Sequence, residues 1–178
     1  ILMALASPEE LHVLGITCVA GNVPLARTEK NARRICELAG RLDMPVFAGC
    51  SRPLLQPLRT AMRVHGGTGL DGCGLPEETA MALQERHAVD FIVDSCLSGE
   101  DHAVTICVLG PMTNLAVALV KEPRIIPKIK SVVFMGGVAF GQGNITPVAE
   151  FNIGVDPHAA RIVLEAGLDV VMFGLDVT

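Results

Sequence analysis

Two carboxamides and one carboxylate lie close together in the segment 143–152, whose sequence is Gly-Asn-Ile-Thr-Pro-Val-Ala-Glu-Phe-Asn. The segment follows an apolar, strand-like run that ends at Met135, and it has little apolar periodicity of its own. An amide both donates and accepts hydrogen bonds, whereas a carboxylate accepts from two hydroxyl groups at once. Asn144, Glu150 and Asn152 are therefore suited to bind a ligand that carries several hydroxyl groups.

A second interpretation of this segment needs no ligand. Asparagine is common wherever the backbone turns, so the same residues could simply shape a loop. Binding residues nevertheless concentrate on loops, and a loop that only connects two elements does not need these three side chains together. The spacing alone does not choose between a binding loop and a turn.

The ends of the predicted strands offer a second indication of a site. Ligands of open parallel sheets bind beyond the carboxyl ends of the strands, where glycine lets the backbone approach a ligand closely. Asn22, after the first strand, could bind a hydroxyl group or form a local turn, and Asp176 follows the last strand. Any one glycine could merely turn the chain, but five together favour a site: Gly21, Gly49, Gly110, Gly136 and Gly174.

Apolar runs alternate with amphipathic ones along the whole chain, which predicts an α/β fold with an open, mostly parallel sheet and flanking helices. Strands are predicted over 11–19, 44–48, 103–109, 131–135 and 169–173, and helices over 27–42, 88–97, 114–121, 123–129 and 157–166. The length of 178 residues suits one domain, 1–178, with a substantial core.

The composition excludes several classes of protein. The net charge is −5, no basic stripe is present, and Trp and Tyr are absent, which argues against binding to nucleic acid. No apolar run reaches the roughly 18 to 20 residues of a membrane helix, so no membrane partner is expected. Half of the residues are apolar, which fits a sheet buried on both faces or a surface buried in an oligomer.

The six cysteines contain no C-x-x-C pair, and several lie within apolar runs. They are typical of reduced, mostly buried thiols in a cytoplasmic protein rather than of a disulfide framework or a zinc site.

The segment from Ser51 to Thr79 is rich in proline and glycine, and a loop of this length usually forms a lid or a binding loop. It contains a literal G-x-G-x-x-G at 67–72, but no strand precedes this motif and no helix follows it, as a dinucleotide site would require. His65 could swing over a pocket or lie at the surface. Asp156 before a proline is a helix N-cap, and Thr113 could cap another helix.

Taken in order along the chain, these segments resemble the inosine-uridine-preferring nucleoside hydrolases, and the resemblance covers essentially the whole sequence. The block with Asn144, Glu150, Phe151 and Asn152 is the most specific part. The matching pieces are 19–25, 65–66, 69–72, 109–116, 135–137, 143–144, 150–152 and 155–157.

The resemblance implies hydrolysis of the N-glycosidic bond of ribonucleosides to ribose and free base. It implies that ribose hydroxyls are held by Asn144, Glu150 and Asn152, and that Asn22 and Met135 line the same pocket. It further implies that His65 lies on a mobile loop that closes over the nucleoside. A Ca²⁺ ion would hold the ribose and the attacking water, with the backbone carbonyl of Thr113 among its ligands. Family members are dimers or tetramers, so a homo-oligomer is expected.

The sequence also departs from the family pattern. An aspartate-rich motif should precede Ile1 and a His-Asp pair should follow Thr178, so the catalytic base and acid are absent from this sequence. We therefore expect a fragment of a nucleoside hydrolase that is inactive alone and binds calcium weakly or not at all. The alternatives are a non-catalytic ribose-binding or assembly module with the same fold and, more remotely, an unrelated α/β nucleotide-binding protein.

Overall fold

The computed structural model describes all residues, 1–178, and its contacts divide the chain into two compact units. The first unit comprises Ile1–Ser51 and Arg59–Ala88, and the second comprises Arg52–Leu58 and Val89–Thr178. Each unit contains its own parallel sheet. The predicted α/β fold with parallel strands and flanking helices is thus confirmed, while the assignment of 1–178 to one domain stays a prediction.

The first unit has a two-stranded parallel sheet in which Ile16 pairs with Val46. Helix α2 packs on this sheet and buries Ala32 and Cys36, which lie four residues apart on one face. Its elements in chain order are α1 (Leu2–Leu5), β1 (Ile16–Cys18), α2 (Leu25–Leu38), β2 (Val46–Ala48) and α3 (Met62–His65).

The second unit has a three-stranded parallel sheet in the order β3-β4-β5, so β4 is the central strand and buries Val132 and Phe134. Helices α5 and α7 pack against each other. The elements are α4 (Ala88–Ser98), β3 (Val104–Val108), α5 (Thr113–Lys121), a 3-10 helix (Pro123–Lys128), β4 (Ile129–Met135), α6 (Phe151–Val155), α7 (Pro157–Leu164) and β5 (Val170–Phe173).

Several element boundaries differ from the sequence prediction, and the largest differences concern three elements. The strand predicted over 11–19 is only three residues long, Ile16–Cys18. The helix predicted to reach Leu42 ends at Leu38, because Gly40 takes the left-handed backbone conformation (φ +69°) that commonly ends helices. The segment 123–129 forms a 3-10 helix with Pro127 inside it, where proline removes an N–H that an α-helix would use.

Two other predictions concern the long segment 51–79 and the thiols. The segment contains one short helix, Met62–His65, and no strand, as its composition predicts. None of the six cysteines forms a disulfide, but only Cys18, Cys36 and Cys96 are buried, so the thiols are not mostly buried as expected. No helix of the structure combines the length and the apolar character needed to cross a bilayer.

Candidate active site at the rim of the second sheet

The carboxyl ends of β3, β4 and β5 lie along one edge of the second sheet, because the three strands are parallel. Thr113 follows β3 at the start of α5, Met135 ends β4, and Asp176 follows β5. The segment between β4 and α6, residues 136–150, connects to the same edge and contains Asn144 and Glu150. This edge is where ligands of open α/β sheets bind.

Glu150 is almost completely buried, at 2% exposure, and it is the N-cap of α6. Its Oε2 atom accepts hydrogen bonds from the backbone N–H groups of Gly137, at 3.1 Å, and Ile153, at 3.2 Å. The first bond joins the end of β4 to the start of α6, and the second satisfies an N–H group that the helix leaves unpaired. One carboxylate oxygen therefore closes the whole connecting segment.

Asn152 is also buried, at 8% exposure, and its amide is oriented by β4. The Nδ2 atom donates to the carbonyl oxygen of Met135 at 3.0 Å and lies 3.4 Å from the Met135 sulfur. Because a carbonyl only accepts, the nitrogen must face Met135 and the Oδ1 atom must point elsewhere. Met135, Glu150 and Asn152 are thus brought together around the end of β4.

Each of the two buried side chains keeps one oxygen that accepts no hydrogen bond from the chain. These atoms are Oε1 of Glu150 and Oδ1 of Asn152. Neither is among the polar side-chain atoms that are sealed from solvent without a partner. The arrangement therefore presents two fixed acceptors, one of them on a carboxylate, which suits hydroxyl donors or a developing positive charge.

Asn144 lies on the outer part of the connecting segment and is exposed. Its backbone N–H donates to the carbonyl of Ala149 at 3.1 Å, and that of Gly143 donates to Pro147 at 3.0 Å, so residues 143–149 form a closed turn. A side chain at Gly143 would place its β-carbon 2.3 Å from the Ala149 carbonyl oxygen. The Asn144 side chain makes no hydrogen bond with Glu150 or Asn152.

Thr113 is not a helix cap, contrary to the sequence prediction. It is the first residue of α5, after Met112 as N-cap, and its hydroxyl donates to Oδ2 of Asp156 at 2.6 Å. Asp156 is fully buried and also accepts from Leu54 N at 3.0 Å and Ala159 N at 3.1 Å, the latter being the predicted cap of α7. Its three donors replace the water that a buried carboxylate loses.

Two predicted site residues belong to the first unit. Asn22 is half-buried, its side-chain amide makes no hydrogen bond with the chain, and its carbonyl accepts from Ala61 N at the start of α3. His65 ends α3 and is exposed. Asn22 does not form the local side-chain turn that was the alternative to a binding role.

The residues of the chain do not make up a calcium site by themselves. No group of three or more His, Cys, Asp or Glu side chains is arranged to hold a metal ion. The Thr113 carbonyl would supply one oxygen, whereas calcium takes six to eight.

Two surface cavities occur in the first unit, with volumes of about 230 and 320 Å³. The smaller is lined by α2 and the loop 68–77, and the larger by residues 4–14 and 41–45. Neither contains a predicted site residue. Neither cavity includes the free oxygens of Glu150 and Asn152, which lie at the edge of the second sheet.

The sequence analysis did not predict the contacts that three residues make at this site. Gly137 donates its N–H to Glu150, Asp156 holds Thr113, and Asp176 accepts from the N–H groups of residues 139–141. These bonds join residues 13 to 43 positions apart. Only the glycines and Asp176 at the strand ends hinted at them, and spacing could not reveal their partners.

Comparison with known proteins agrees with this geometry. The family model of the inosine-uridine preferring nucleoside hydrolases matches residues 1–178. The chain is 43% identical over 178 residues to the inosine-uridine preferring nucleoside hydrolase of Leishmania major, covering all of this chain and 56% of that protein. It is 44% identical to the pyrimidine-specific ribonucleoside hydrolase RihB of Escherichia coli O157:H7, covering 55% of that protein.

Solved structures of similar proteins show the same fold. A plant nucleoside hydrolase superposes with a TM-score of 0.91 at 35% identity, over 98% of this chain and 55% of that one. A purine-preferring ribonucleoside hydrolase from Gardnerella vaginalis gives 0.90 at 33% identity, over 98% of this chain and 56% of that one. The chain thus spans a little over half the length of these relatives. It belongs to the inosine-uridine preferring nucleoside hydrolase family.

Proposed function

We propose that the protein to which this chain belongs hydrolyses the N-glycosidic bond of ribonucleosides, giving ribose and free base. The observation that carries the proposal is the pair of fixed acceptors at the end of β4. Glu150 and Asn152 each use one side-chain atom in hydrogen bonds to the backbone. The other oxygen of each, Oε1 and Oδ1, is available to a ligand. Family membership and the activities for which the relatives are named support the same reaction.

The two acceptors suit this reaction in both of its states. In the ground state they accept from ribose hydroxyl groups, which are hydrogen-bond donors. As the base departs, the ribosyl group gains the oxocarbenium character common to glycoside cleavage. A carboxylate oxygen and an amide oxygen held in place by β4 then stabilise the positive charge without having to reorient. We assign Met135 to the wall of the ribose site through its contacts with Asn152.

The other assigned residues complete this proposal. Asn144 would bind a ribose hydroxyl from the turn 143–149, and Asn22 would bind a ribose hydroxyl through its side-chain amide. His65 would lie on a loop that closes over the nucleoside, which excludes bulk water from the reacting carbon. Base preference is left to residues outside this set, since pyrimidine-specific and purine-preferring relatives both match the chain.

Calcium is proposed for the complete protein rather than for these 178 residues. The chain offers the Thr113 carbonyl and no cluster of acidic side chains. We infer that the chain alone binds calcium weakly or not at all and does not cleave nucleosides. Titration calorimetry of the 178-residue chain with CaCl₂ tests this inference, and micromolar binding would contradict it.

The alternative is a non-catalytic ribose-binding or assembly module, which the missing acidic cluster favours. The decisive assay incubates the complete protein, and separately the 178-residue chain, with inosine and with uridine, and measures free base by chromatography and ribose by a reducing-sugar assay. Base release by the complete protein supports the hydrolase. Ribose binding without release would support the module, and release by the 178-residue chain would exclude it.

Asn152→Ala provides the residue-level test. We expect kcat/KM to fall by about 10²-fold, because the variant loses a contact made with the charged transition state. Glu165→Ala, which removes an exposed carboxylate paired with Arg161, serves as control and should leave kcat/KM unchanged. A change of less than about threefold in Asn152→Ala would show that this residue is structural.

We also propose a cytoplasmic homo-oligomer that binds no nucleic acid. Six cysteines without a disulfide suit a reducing compartment. Val171, Met172 and Phe173 of β5 are each more than 40% exposed, and such apolar surface is typical of subunit contacts. Light scattering of the complete protein tests the oligomer, and a monomer at micromolar concentration would contradict it.

A further inference from the structure

The end of β5 is bound to the start of the β4–α6 connection by five hydrogen bonds, the first of which runs from Gly136 N to the carbonyl of Phe173 at 3.1 Å. Leu175 N donates to the carbonyl of Gly137 at 2.9 Å. The Asp176 carboxylate accepts from the backbone N–H groups of Ala139 at 2.7 Å, Phe140 at 3.0 Å and Gly141 at 3.1 Å. We call residues 139–141 the clamped turn. Three consecutive N–H groups therefore donate hydrogen bonds to one carboxylate, which lies in the segment after β5.

No packing holds the clamped turn in place. All three of its residues are exposed, and the Phe140 side chain is 96% exposed, so the turn gains almost nothing from apolar burial. The three N–H groups have no acceptor other than Asp176. Hydrogen bonds to an ionised acceptor are stronger than those between neutral groups. The position of the turn therefore depends on this one side chain.

The clamped turn lies between the two parts of the candidate site that the connection carries. On one side, Gly137 donates to Glu150. On the other side, Asn144 lies three residues after the turn, in the closed segment 143–149. That closed segment is bound internally to Pro147 and Ala149 and is held at its far end by Glu150, so the residues that lead into it fix its other end.

We propose that Asp176 is a positioning residue for the ribose site, which holds the clamped turn and thereby sets the place of Asn144. The inference rests on the proposed function, since it assigns Asp176 to the same site. The chemical role of Asp176 is to accept three N–H groups, and it makes no contact with substrate. Its effect on catalysis should therefore pass through Asn144.

The test uses the complete protein with Asp176→Asn. An amide oxygen can replace only part of the acceptor capacity of a carboxylate, and an amide NH₂ cannot accept at all. Asp169→Asn is the matched control, because Asp169 precedes the same strand, is exposed, and makes no side-chain hydrogen bond. Amide hydrogen exchange of the peptide that contains 139–141 is measured together with kcat and KM for inosine.

We expect exchange at 139–141 to become at least about tenfold faster in Asp176→Asn and kcat/KM to fall about tenfold, with both unchanged in Asp169→Asn. The double variant Asp176→Asn/Asn144→Ala should be no worse than Asn144→Ala by more than about threefold, because residues that act as a unit are not additive.

The outcomes separate this proposal from the proposed function. Absence of base release by the wild-type protein would overturn the proposed function before any variant is made. Faster exchange with unchanged kcat/KM would show a purely structural clamp, and unchanged exchange would show that the clamp does not hold the turn. Additive losses in the double variant would mean that Asp176 does not act through Asn144. Asp176→Glu, which keeps the charge, should recover part of the exchange protection if the carboxylate is responsible.

Discussion

Two loops of this protein are built from similar parts but are anchored differently. The connection 137–150 of the second unit and the loop 66–72 of the first each contain a glycine that has no room for a β-carbon, Gly143 and Gly66. Each is closed by carboxylates that accept hydrogen bonds from backbone N–H groups. In the loop 66–72, Asp71 accepts from Gly67 N at 2.9 Å, Thr68 N at 3.0 Å and the Thr68 hydroxyl.

The long-range partners of the connection lie roughly three to ten times farther apart along the chain than the partners in the loop 66–72. Asp71 binds residues three and four positions away, whereas Glu150 and Asp176 bind N–H groups 13 and up to 37 positions away. The loop 66–72 therefore keeps its shape locally, and one bond from Asn31 to the Thr68 carbonyl, at 2.7 Å, ties it to α2. The connection of the second unit is instead bound to the end of β4, to the segment after β5 and to α6. A closing lid suits the first design, and a preorganised binding site suits the second.

The largest expected effect compares the two carboxylates directly. Glu150→Ala should lower kcat/KM by about 10²- to 10³-fold, because it removes both a ligand acceptor and the bond that closes the connection. Asp71→Ala should cost no more than about tenfold, since it loosens a loop that must move in any case. Steady-state kinetics of the complete protein measures both. Equal losses would break the distinction between the two loops.

The second effect concerns the glycine of the connection. In Gly143→Ala the new β-carbon would lie 2.3 Å from Ala149 O and 2.4 Å from Ala149 N, and backbone atoms cannot move aside cheaply. We expect the free energy of unfolding to fall by about 2 kcal/mol. Gly141→Ala is the control, because its nearest neighbours would lie at ordinary contact distance, 3.5 Å or more. Urea denaturation of both variants provides the measurement, and equal stability would contradict the geometry of the turn.

A smaller effect is expected at the matching glycine of the first unit. Gly66 has φ +75° and ψ 174°, a conformation almost exclusive to glycine, and a β-carbon would meet the Asp71 carboxylate. That carboxylate can rotate away, so Gly66→Ala should destabilise the loop without unfolding the unit. Gly67→Ala has open space within 4 Å and should stay within about 0.5 kcal/mol of wild type. Limited proteolysis within 66–75 should distinguish the two variants, and similar cleavage rates would contradict this assignment.

The smallest effect is the response to acid. The Thr68 hydroxyl, helped by backbone N–H groups, lowers the pKa of Asp71, and the N–H groups of Ala139 and its neighbours lower the pKa of Asp176. A carboxylate with a lowered pKa stabilises the fold fully above its unfolded pKa, near 3.9, and loses this contribution as the pH falls through its folded pKa. Carboxyl NMR titration from pH 6 to pH 2 should show both groups losing their charge at lower pH than an ordinary aspartate does. Protonation of either group above pH 4 would contradict the hydrogen bonding described here.

The sequence predicted this protein best where the signal is local. Strand and helix alternation predicted the parallel α/β fold, and Asp156 before Pro157 predicted the start of α7. The cluster of Asn144, Glu150 and Asn152 was also visible as a pattern. The sequence could not predict that Glu150 starts a helix, because the five-residue α6 is too short for a clear apolar period.

The long-range bonds were beyond sequence reasoning for a physical reason. Thr113 looked like a helix cap because caps are local, yet its hydroxyl binds a carboxylate 43 positions away. Asp176 had the right place after a strand, but its three partners lie 35 to 37 positions earlier. Such pairs depend on how strands stack in the sheet, which a single sequence does not specify. The cap at Asp156 was therefore predictable, whereas the bonds that join different strands were not.

The double duty of Glu150 limits how this site can change in evolution. One oxygen caps a helix and also binds the end of a strand. Almost any other residue at this position would therefore disturb the local structure as well as ligand binding. Asn144 has no such obligation, because its side chain supports no other part of the chain. Variation in sugar recognition among related proteins should consequently accumulate around position 144, while position 150 stays invariant even in relatives that have abandoned catalysis.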